Sequence, residues 1–410
     1  MVGWAGDRAP ATGLPRPRDA RSSAAAFAAA ADRRTVADLR AAGSLKWTLA
    51  PDRIGAFVAE ADFGTAPEVR AALHAAVDAE RFGYLPPADD AALAAAFAGW
   101  ARERYGWDVD PGRVRPVGDV MAAFRAAVRH LTAPGSAVVL PTPAYMPFLT
   151  VPGVLGRPVV QVPMVRDGDR LVHDLDGIGR ALADGGGLLV LCNPHNPTGR
   201  VLDHDELRGI ARVVDAHGAR VLADEIHAPL VYAGRRHVPY ATVSPEAAAH
   251  AVTAVSASKA WNLPGLKCAQ VVLPPADLDR WHDVGEEYEH GASLLGVVAS
   301  TAAYTAGGPW LDAAVTYLDG NRHELAALLA THLPEVRYTP PEGTYLAWLD
   351  VRGLGLGDHP GRVFAAAGVQ LTDGPACGDA GRGHVRYTLA TPRPVLRDTV
   401  AALAAAVRSG

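Results

Sequence analysis

The chain has 410 residues, of which 49% are hydrophobic and 20% are charged. This length is sufficient for two or three domains with a sizeable core, and the composition is that of a soluble globular protein. Lysine and arginine total 39 against 44 aspartates and glutamates, so the formal net charge is −5. Such a weakly acidic chain gives no electrostatic reason to expect a nucleic-acid binder or a membrane-surface binder.

The cysteines and the N-terminal residues suggest neither a disulfide framework nor a membrane anchor. Cys192, Cys268 and Cys377 are widely spaced and form no CxxC pair, so no metal site is expected either. We expect buried thiols in a reducing cytoplasm. No apolar run reaches the roughly 18 residues that a membrane-spanning helix needs. Residues 1–32 are predicted to be a disordered extension.

From about residue 110, short β-rich runs alternate with amphipathic helical stretches. Residues 119–131 carry apolar side chains at helical spacing, and Asp203 with Glu206 forms a capping-box pattern. Buried strands are predicted at residues 137–141, 187–192, 219–225 and 250–256. This repetition predicts an α/β fold with a mainly parallel sheet sandwiched by helices, in which ligands bind at the carboxyl ends of the strands.

The C-terminal part has a different pattern. From residue 343 it reads as strand, helix, strand and a last alanine-rich helix, which indicates a separate, smaller α+β unit. We therefore predict that residues 33–62 join a small C-terminal domain formed by residues 301–410. Residues 63–300 are predicted to form the large domain.

Polar motifs fall at or near the ends of the predicted strands. They are NPHNPTG at 193–199, ADEIH at 223–227, SASKAWN at 256–262 and RYTLATPR at 386–393.

Together these motifs resemble those of fold-type-I pyridoxal-phosphate enzymes in the class I/II aminotransferase superfamily. The segments GSLKW (43–47), RFGYLPP (81–87) and PEGTYLAWLD (341–350) narrow the resemblance to the cystathionine β-lyase-like, or carbon–sulfur lyase, branch. The resemblance extends from about residue 40 to the C-terminus. It implies pyridoxal 5′-phosphate as cofactor, a large cofactor-binding domain, a small-molecule amino acid as substrate and a cytoplasmic homodimer.

The resemblance gives catalytic roles to three residues. Lys259 would bind the cofactor covalently and act as the base at the substrate Cα. Asp224 would keep the cofactor ring nitrogen protonated, and Tyr145 would stack on the ring. Without the companion motifs, Lys259 fits a solvated surface residue, Asp224 fits a helix cap and Tyr145 fits a core tyrosine.

The cofactor phosphate is expected at the start of the helix that follows Gly118. Backbone amides of Asp119 and Val120 and the hydroxyls of Ser256 and Ser258 would bind it. The Asp119 carboxylate would repel a phosphate unless the side chain turns away to cap the helix.

The remaining predicted site residues are implied by the same resemblance. Asn196 would donate to the cofactor's phenolic oxygen, and Arg386 would hold the substrate α-carboxylate through two parallel hydrogen bonds. His227 would tune Asp224 or be a satisfied core histidine. Tyr84 would reach the phosphate of the neighbouring subunit.

The expected activity is cleavage of cystathionine or another S-substituted cysteine to a thiol, pyruvate and ammonia. Glu60 and Cys377 depart from the branch pattern, so an enzyme acting on a large S-conjugated cysteine is an alternative. An aminotransferase needs the same Asp224, Lys259 and Arg386, and stays open. A non-catalytic regulator is a further alternative, although the N-terminal residues are too few for a DNA-binding domain.

Overall fold

The computed structural model describes the backbone of residues 17–409 and the side chains of residues 23–408. Helix α1 (Pro17–Asp32) opens the described part, so the prediction of a disordered extension is wrong for these residues. The physical reason is an aromatic anchor: the Phe27 ring lies 5.5 Å from Phe63, 5.6 Å from Trp310 and 5.7 Å from Tyr317, between ring centroids. Residues 1–16, which belong to the same prediction, lie outside the described residues.

The segment after α1 connects to the C-terminal part of the chain. It contains α2 (Val36–Ala41), α3 (Leu45–Thr48) and β1 (Ile54–Gly55). Strand β1 pairs in parallel with residues 369–370. This pairing places β1 beside the C-terminal part, and the assignment of residues 33–62 to the small domain stays a prediction.

The middle of the chain builds the large sheet and its covering helices. In chain order its elements are α4 (Pro67–Asp78), α5 (Pro87–Tyr105), β2 (Val114–Val117), α6 (Val120–His130), β3 (Ala137–Thr142), α7 (Pro147–Val154), β4 (Val159–Pro163), β5 (Val165–Asp167), β6 (Arg170–Val172), α8 (Leu175–Ala183), β7 (Gly186–Cys192), α9 (His204–Ala216), β8 (Arg220–Asp224), α10 (Pro245–His250), β9 (Ala251–Val255), β10 (Ala269–Val272), α11 (Leu278–Val284), α12 (Glu286–Glu289) and α13 (Leu294–Ala306).

The seven strands of the large sheet have the order β2-β10-β9-β8-β7-β3-β4, and β10 runs antiparallel to both of its neighbours. Alternate side chains of β7 enter different cores. Leu188 belongs to the cluster of Phe124 from α6, whereas Leu189 belongs to the cluster of Ile210 from α9. Burial on both faces explains why the strands are continuous apolar runs in the sequence. The predicted α/β fold with a mainly parallel sheet is confirmed.

The C-terminal part forms a second, smaller sheet. Its elements are α14 (Gly308–His332), β11 (Arg337–Tyr338), β12 (Leu346–Asp350), α15 (Pro360–Ala366), β13 (Val369–Gln370), β14 (Thr372–Asp373), β15 (His384–Thr388) and α16 (Arg393–Ser409). The antiparallel order is β11-β12-β15-β14. The domain limits near residues 63 and 301 stay predictions. Among the described residues, no helix is both long enough and apolar enough to cross a membrane.

Candidate active site

A cavity of about 170 Å³, the central cavity, lies at the carboxyl ends of strands in the large sheet. Ten residues predicted from the sequence line it. The full lining is Ala59, Gly118, Asp119, Val120, Met121, Tyr145, Asn196, Asp224, Ile226, His227, Ser256, Ser258, Lys259, Pro264, Lys267 and Cys268.

The amine of Lys259 lies in this cavity within hydrogen-bond distance of one carbonyl. Its Nζ donates to the Ala59 oxygen at 2.9 Å. Burial, together with the Arg386 guanidinium, lowers the pKa of Lys259 to about 8, and the carboxylates of Glu60 and Asp224 oppose that shift. A buried amine that is partly neutral near physiological pH is suited to act as a nucleophile or a base.

Asp224 ends strand β8 and is 4% exposed. Burial raises the pKa of its carboxyl group to about 6, although hydrogen bonds from the Ile226 amide and the Cys192 thiol favour the ionised form. The Cys192 sulfur lies 3.6 Å from Oδ2, and the Ile226 nitrogen lies 3.2 Å from Oδ1. Cys192 is therefore a site neighbour that the sequence reading assigned only to the core.

The start of α6 forms the anion-binding end of the central cavity. Helix-start amides have no partner inside the helix, so those of Val120 and Met121 are available to an anion. A Cβ at Gly118 would lie 2.7 Å from the Gly291 carbonyl oxygen, which explains the glycine. Asp119 caps the helix through the Ala122 amide at 2.9 Å, as predicted.

The Asp119 side chain is not simply turned away from the anion-binding end. Its second oxygen pairs with Lys267 Nζ at 3.1 Å, so the expected repulsion is offset by a nearby cation. Lys267 was not among the site residues predicted from the sequence. Its position eight residues after Lys259, directly before the buried Cys268, was the available signal.

The two predicted serines differ in their hydrogen bonding. The Ser256 hydroxyl donates to the Cys268 carbonyl at 2.7 Å and accepts from the Ser258 amide at 3.1 Å. Its single proton is therefore used inside the protein. Of the two hydroxyls, that of Ser258 remains to donate to an anion.

Arg386 and Asn196 lie side by side at the edge of the central cavity. Arg386 Nη1 donates to Asn196 Oδ1 at 3.1 Å, and Nη2 donates to the Phe57 carbonyl at 2.7 Å. Arg386 is 2% exposed, and its Nε has no hydrogen-bond partner among the described residues. The amide nitrogen of Asn196 is left for another acceptor.

Tyr145 and His227 also line the central cavity, but His227 makes no hydrogen bond with Asp224. Burial lowers the pKa of His227 to about 3, so the imidazole is neutral at pH 7. Its Nδ1 has no partner among the described residues, and its ring contacts Tyr345 with centroids 6.1 Å apart. The expected tuning of Asp224 by His227 is therefore not supported by a hydrogen bond between the two side chains.

Tyr84 lies away from the central cavity in this single chain. It is 95% exposed and lines a different cavity of about 760 Å³ with the exposed ring of Phe82. Lys267 lines both cavities, so the two are neighbours.

The irregular segment 57–62, from which Ala59 lines the central cavity, was not predicted as a unit. The Ala59 carbonyl accepts from both Lys259 and the Tyr345 hydroxyl, each at 2.9 Å. The Asn262 side chain accepts from the Ala61 amide at 3.0 Å and donates to the Ala61 carbonyl at 2.8 Å. This segment therefore contacts the lysine directly and lies against the loop that carries it.

Comparison with known proteins decides the family. The model of aminotransferase class I and II matches residues 55–403. The chain belongs to this family.

Individual relatives indicate which branch of the family the chain resembles most. The chain is 40% identical over 344 residues to the cystathionine β-lyase of Corynebacterium glutamicum, with 83% of this chain and 90% of that protein covered. The PLP-bound C–S lyase structure from Staphylococcus hominis superposes with a TM-score of 0.84 at 26% identity, covering 91% of this chain and 97% of that one. The N-succinyldiaminopimelate aminotransferase of Mycobacterium tuberculosis superposes with a TM-score of 0.80 at 28% identity, covering 92% and 98%. The predicted resemblance to the cystathionine β-lyase-like branch is confirmed.

The residues of the central cavity fit pyridoxal phosphate, the cofactor of this family. A partly neutral lysine, Lys259, is available to the aldehyde, and a buried carboxylate, Asp224, is available to the ring nitrogen. The α6 amides, Ser258 and Lys267 supply donors and a positive charge for the phosphate.

Proposed function

We propose that this protein is a pyridoxal-phosphate-dependent carbon–sulfur β-lyase. Its substrate is cystathionine or another S-substituted cysteine, which reacts with one water to give a thiol, pyruvate and ammonia. The observation that carries the proposal is the meeting of Lys259, Asp224 and the α6 helix start in one cavity, with Arg386 at its edge. The cystathionine β-lyase relative at 40% identity supports the choice of reaction.

The bound cofactor would supply an electron sink that stabilises negative charge at the substrate Cα. Asp224, with its pKa near 6, is largely ionised at pH 7 and would hold the ring nitrogen in its protonated form. Tyr145 would stack on the ring, and the amide nitrogen of Asn196 would donate to the phenolic oxygen. Lys267 and Ser258 would bind the phosphate.

Lys259 performs the proton transfer in this proposal. A substantial fraction of its amine is neutral near pH 8, so Nζ accepts the Cα proton of the substrate. The Ala59 carbonyl, which accepts from Nζ, keeps the amine inside the cavity. The Cβ–S bond then breaks, and its electron pair leaves with the sulfur as a thiolate.

Arg386 orients the substrate. Its guanidinium is held by the Phe57 carbonyl and Asn196, which fix the plane of the fork. A planar guanidinium binds a carboxylate through two parallel hydrogen bonds, which leaves few orientations for the amino acid. Precise orientation of the Cα–H bond toward Lys259 is the expected gain.

The proposed assembly is a cytoplasmic homodimer in which Tyr84 completes the partner's phosphate site. Tyr84 and Phe82 are 95% and 65% exposed, and exposed aromatic pairs of this kind mark surfaces that another protein covers. Size-exclusion chromatography should report a dimer. Tyr84→Ala should weaken cofactor binding without dissociating the dimer. A monomeric wild type would contradict the proposed assembly.

The proposed reaction is tested with cystathionine, S-methylcysteine and a bulky cysteine conjugate, each incubated with the enzyme and cofactor without any keto acid. Pyruvate release is expected. Turnover that requires an added keto acid would favour the aminotransferase, which the superposition on an aminotransferase structure keeps as the second candidate. Pyruvate from the bulky conjugate alone would assign a tailoring role. A visible absorbance band that Lys259→Ala abolishes would exclude a cofactor-free regulator.

A further inference from the structure

A third cavity, a cleft of about 490 Å³, lies between segments that flank the large sheet and segments of the small sheet. The large-sheet side is formed by the β5–β6 hairpin and the turn at residues 198–200. The other side is formed by residues 337–342 with Trp348, Asp350 and His384. We call it the arginine cleft, because Arg166, Arg170, Arg200 and Arg337 all line it. It shares no lining residue with the central cavity.

The arginines of this cleft are incompletely paired. Arg337 is exposed and has no ion-pair partner among the described residues, and Arg166 reaches Asp350 only at 3.7 Å. Arg170 Nη2 lies 3.5 Å from Glu342, yet its Nε and Nη2 are buried with no hydrogen-bond partner in the described part of the chain. Buried guanidinium N–H groups without an acceptor are costly, so an added acceptor would be stabilising.

Three carboxylates near the cleft are already paired with arginines. Arg352 pairs with Asp350 at 2.6 Å, and Arg235 pairs with Glu342 at 2.6 Å. Glu206 is held by Arg200 at 2.8 Å. The network as a whole contains more guanidinium than carboxylate groups: the former are Arg166, Arg170, Arg200, Arg235, Arg337 and Arg352, and the latter are Asp169, Glu206, Glu342 and Asp350.

The wall of the cleft opposite the hairpin contains a buried, stacked ring pair. The rings of Trp348 and His384 stack with centroids 5.2 Å apart and an interplanar angle of 11°. Both residues are at least nine-tenths buried. A volume of 490 Å³ lies in the range of about 300–1,000 Å³ that is common for small-molecule sites.

We propose that the arginine cleft binds a small, multiply charged oxyanion, such as a phosphorylated or polycarboxylic metabolite. Arg166 and Arg170 would contact it from the large-sheet side, and Arg337 would contact it from the small-sheet side. Guanidinium groups bind both phosphate and carboxylate oxygens in a bidentate manner. Selectivity among ligands is therefore set by the number of charges on the ligand and by the separation of its anionic groups. An occupant of this kind would link the two sheets.

The test is calorimetric titration of the cofactor-loaded enzyme with inorganic pyrophosphate and, separately, with citrate. Loading with cofactor keeps the phosphate end of the central cavity filled, so the added anion cannot bind there. The titration measures binding and not turnover, so a failure of the lyase assay would not affect this measurement. One anion per chain is expected, with an affinity that falls as salt rises. Preference for pyrophosphate would assign phosphorylated ligands, and preference for citrate would assign polycarboxylates.

Matched arginine variants locate the site. Arg337→Ala and Arg166→Ala should each weaken binding about tenfold, whereas Arg337→Lys should lose less because it keeps the charge. Arg102→Ala is the control. Arg102 lies on α5 and forms an exposed pair with Asp108, so this variant removes the same charge outside the cleft. The absence of binding heat for both anions, or equal affinities of wild type and Arg337→Ala, would overturn the proposal.

Discussion

The buried ion pair of Lys46 and Asp62 offers a sharp test of how the segment over the central cavity is held. Lys46 Nζ lies 2.8 Å from Asp62 Oδ2, and the two side chains are 0% and 3% exposed. The other carboxylate oxygen accepts from Trp47 Nε1 at 2.8 Å. Lys46→Met would keep the apolar stem but leave the Asp62 charge buried with one remaining side-chain donor.

Removing one partner of a buried pair costs about 3–5 kcal/mol, because the remaining charge stays desolvated. We therefore expect Lys46→Met to lower the free energy of unfolding by that amount. Lys46→Met combined with Asp62→Asn should recover part of the loss, since the uncompensated charge is gone. Cofactor affinity should fall as well, because Ala59, which accepts from Lys259, lies three residues before Asp62.

The assay is urea denaturation of the apoenzyme followed by circular dichroism. Arg102→Met is the control, because its pair with Asp108 has side chains that are 65% and 82% exposed. Exposed pairs contribute about 0–1 kcal/mol. If Lys46→Met were as stable as this control, the buried pair would not hold the segment and the reasoning would be refuted.

Three further predictions concern the central cavity. The rate at which apoenzyme recovers the cofactor's visible band should rise with pH and level off above about pH 8. The reason is that burial lowers the pKa of Lys259 to about 8, and the neutral amine is the form that would attack the aldehyde. A flat profile between pH 6 and 9 would contradict this. Asp224→Ala should retain the band but lose at least about 100-fold in kcat, measured by pyruvate release, and an unchanged kcat would remove Asp224 from the mechanism. Asn262 has φ of 57° and makes two hydrogen bonds to Ala61. Asn262→Gly, which tolerates that φ, should therefore keep the fold but lower kcat and cofactor affinity, whereas Asn262→Ala should also lose about 1 kcal/mol of stability in urea; wild-type kcat in Asn262→Gly would show that Ala61 needs no such support.

The large sheet and most of the site could be predicted because both are local in sequence. Strand β7 is a continuous apolar run, and the motif that contains Asn196 follows it directly. Asp224 and Lys259 likewise come at or soon after strand ends, and a parallel sheet brings such ends together. Motif resemblance then supplied the chemistry that spacing alone left open.

What could not be predicted depends on contacts between distant parts of the chain. The hydrogen bond from Lys259 to Ala59 spans 200 positions, and that from Arg386 to Phe57 spans 329. No local pattern encodes a backbone carbonyl as a partner. Helix α1 was missed for a related reason: its alanine run favours a helix, but the packing of Phe27 on distant rings, which holds the helix in place, is not visible in the local sequence.

The most direct test of the proposed lyase is the ratio of products formed from cystathionine without a keto acid. Thiol and pyruvate should appear in equal amounts over many turnovers, and Lys259→Ala should abolish both, since it removes the amine that takes the Cα proton. Arg102→Ala, which removes an exposed cation outside the central cavity, is a control that should retain the same product ratio. Turnover that stops after one equivalent and resumes only when a keto acid is added would contradict the account.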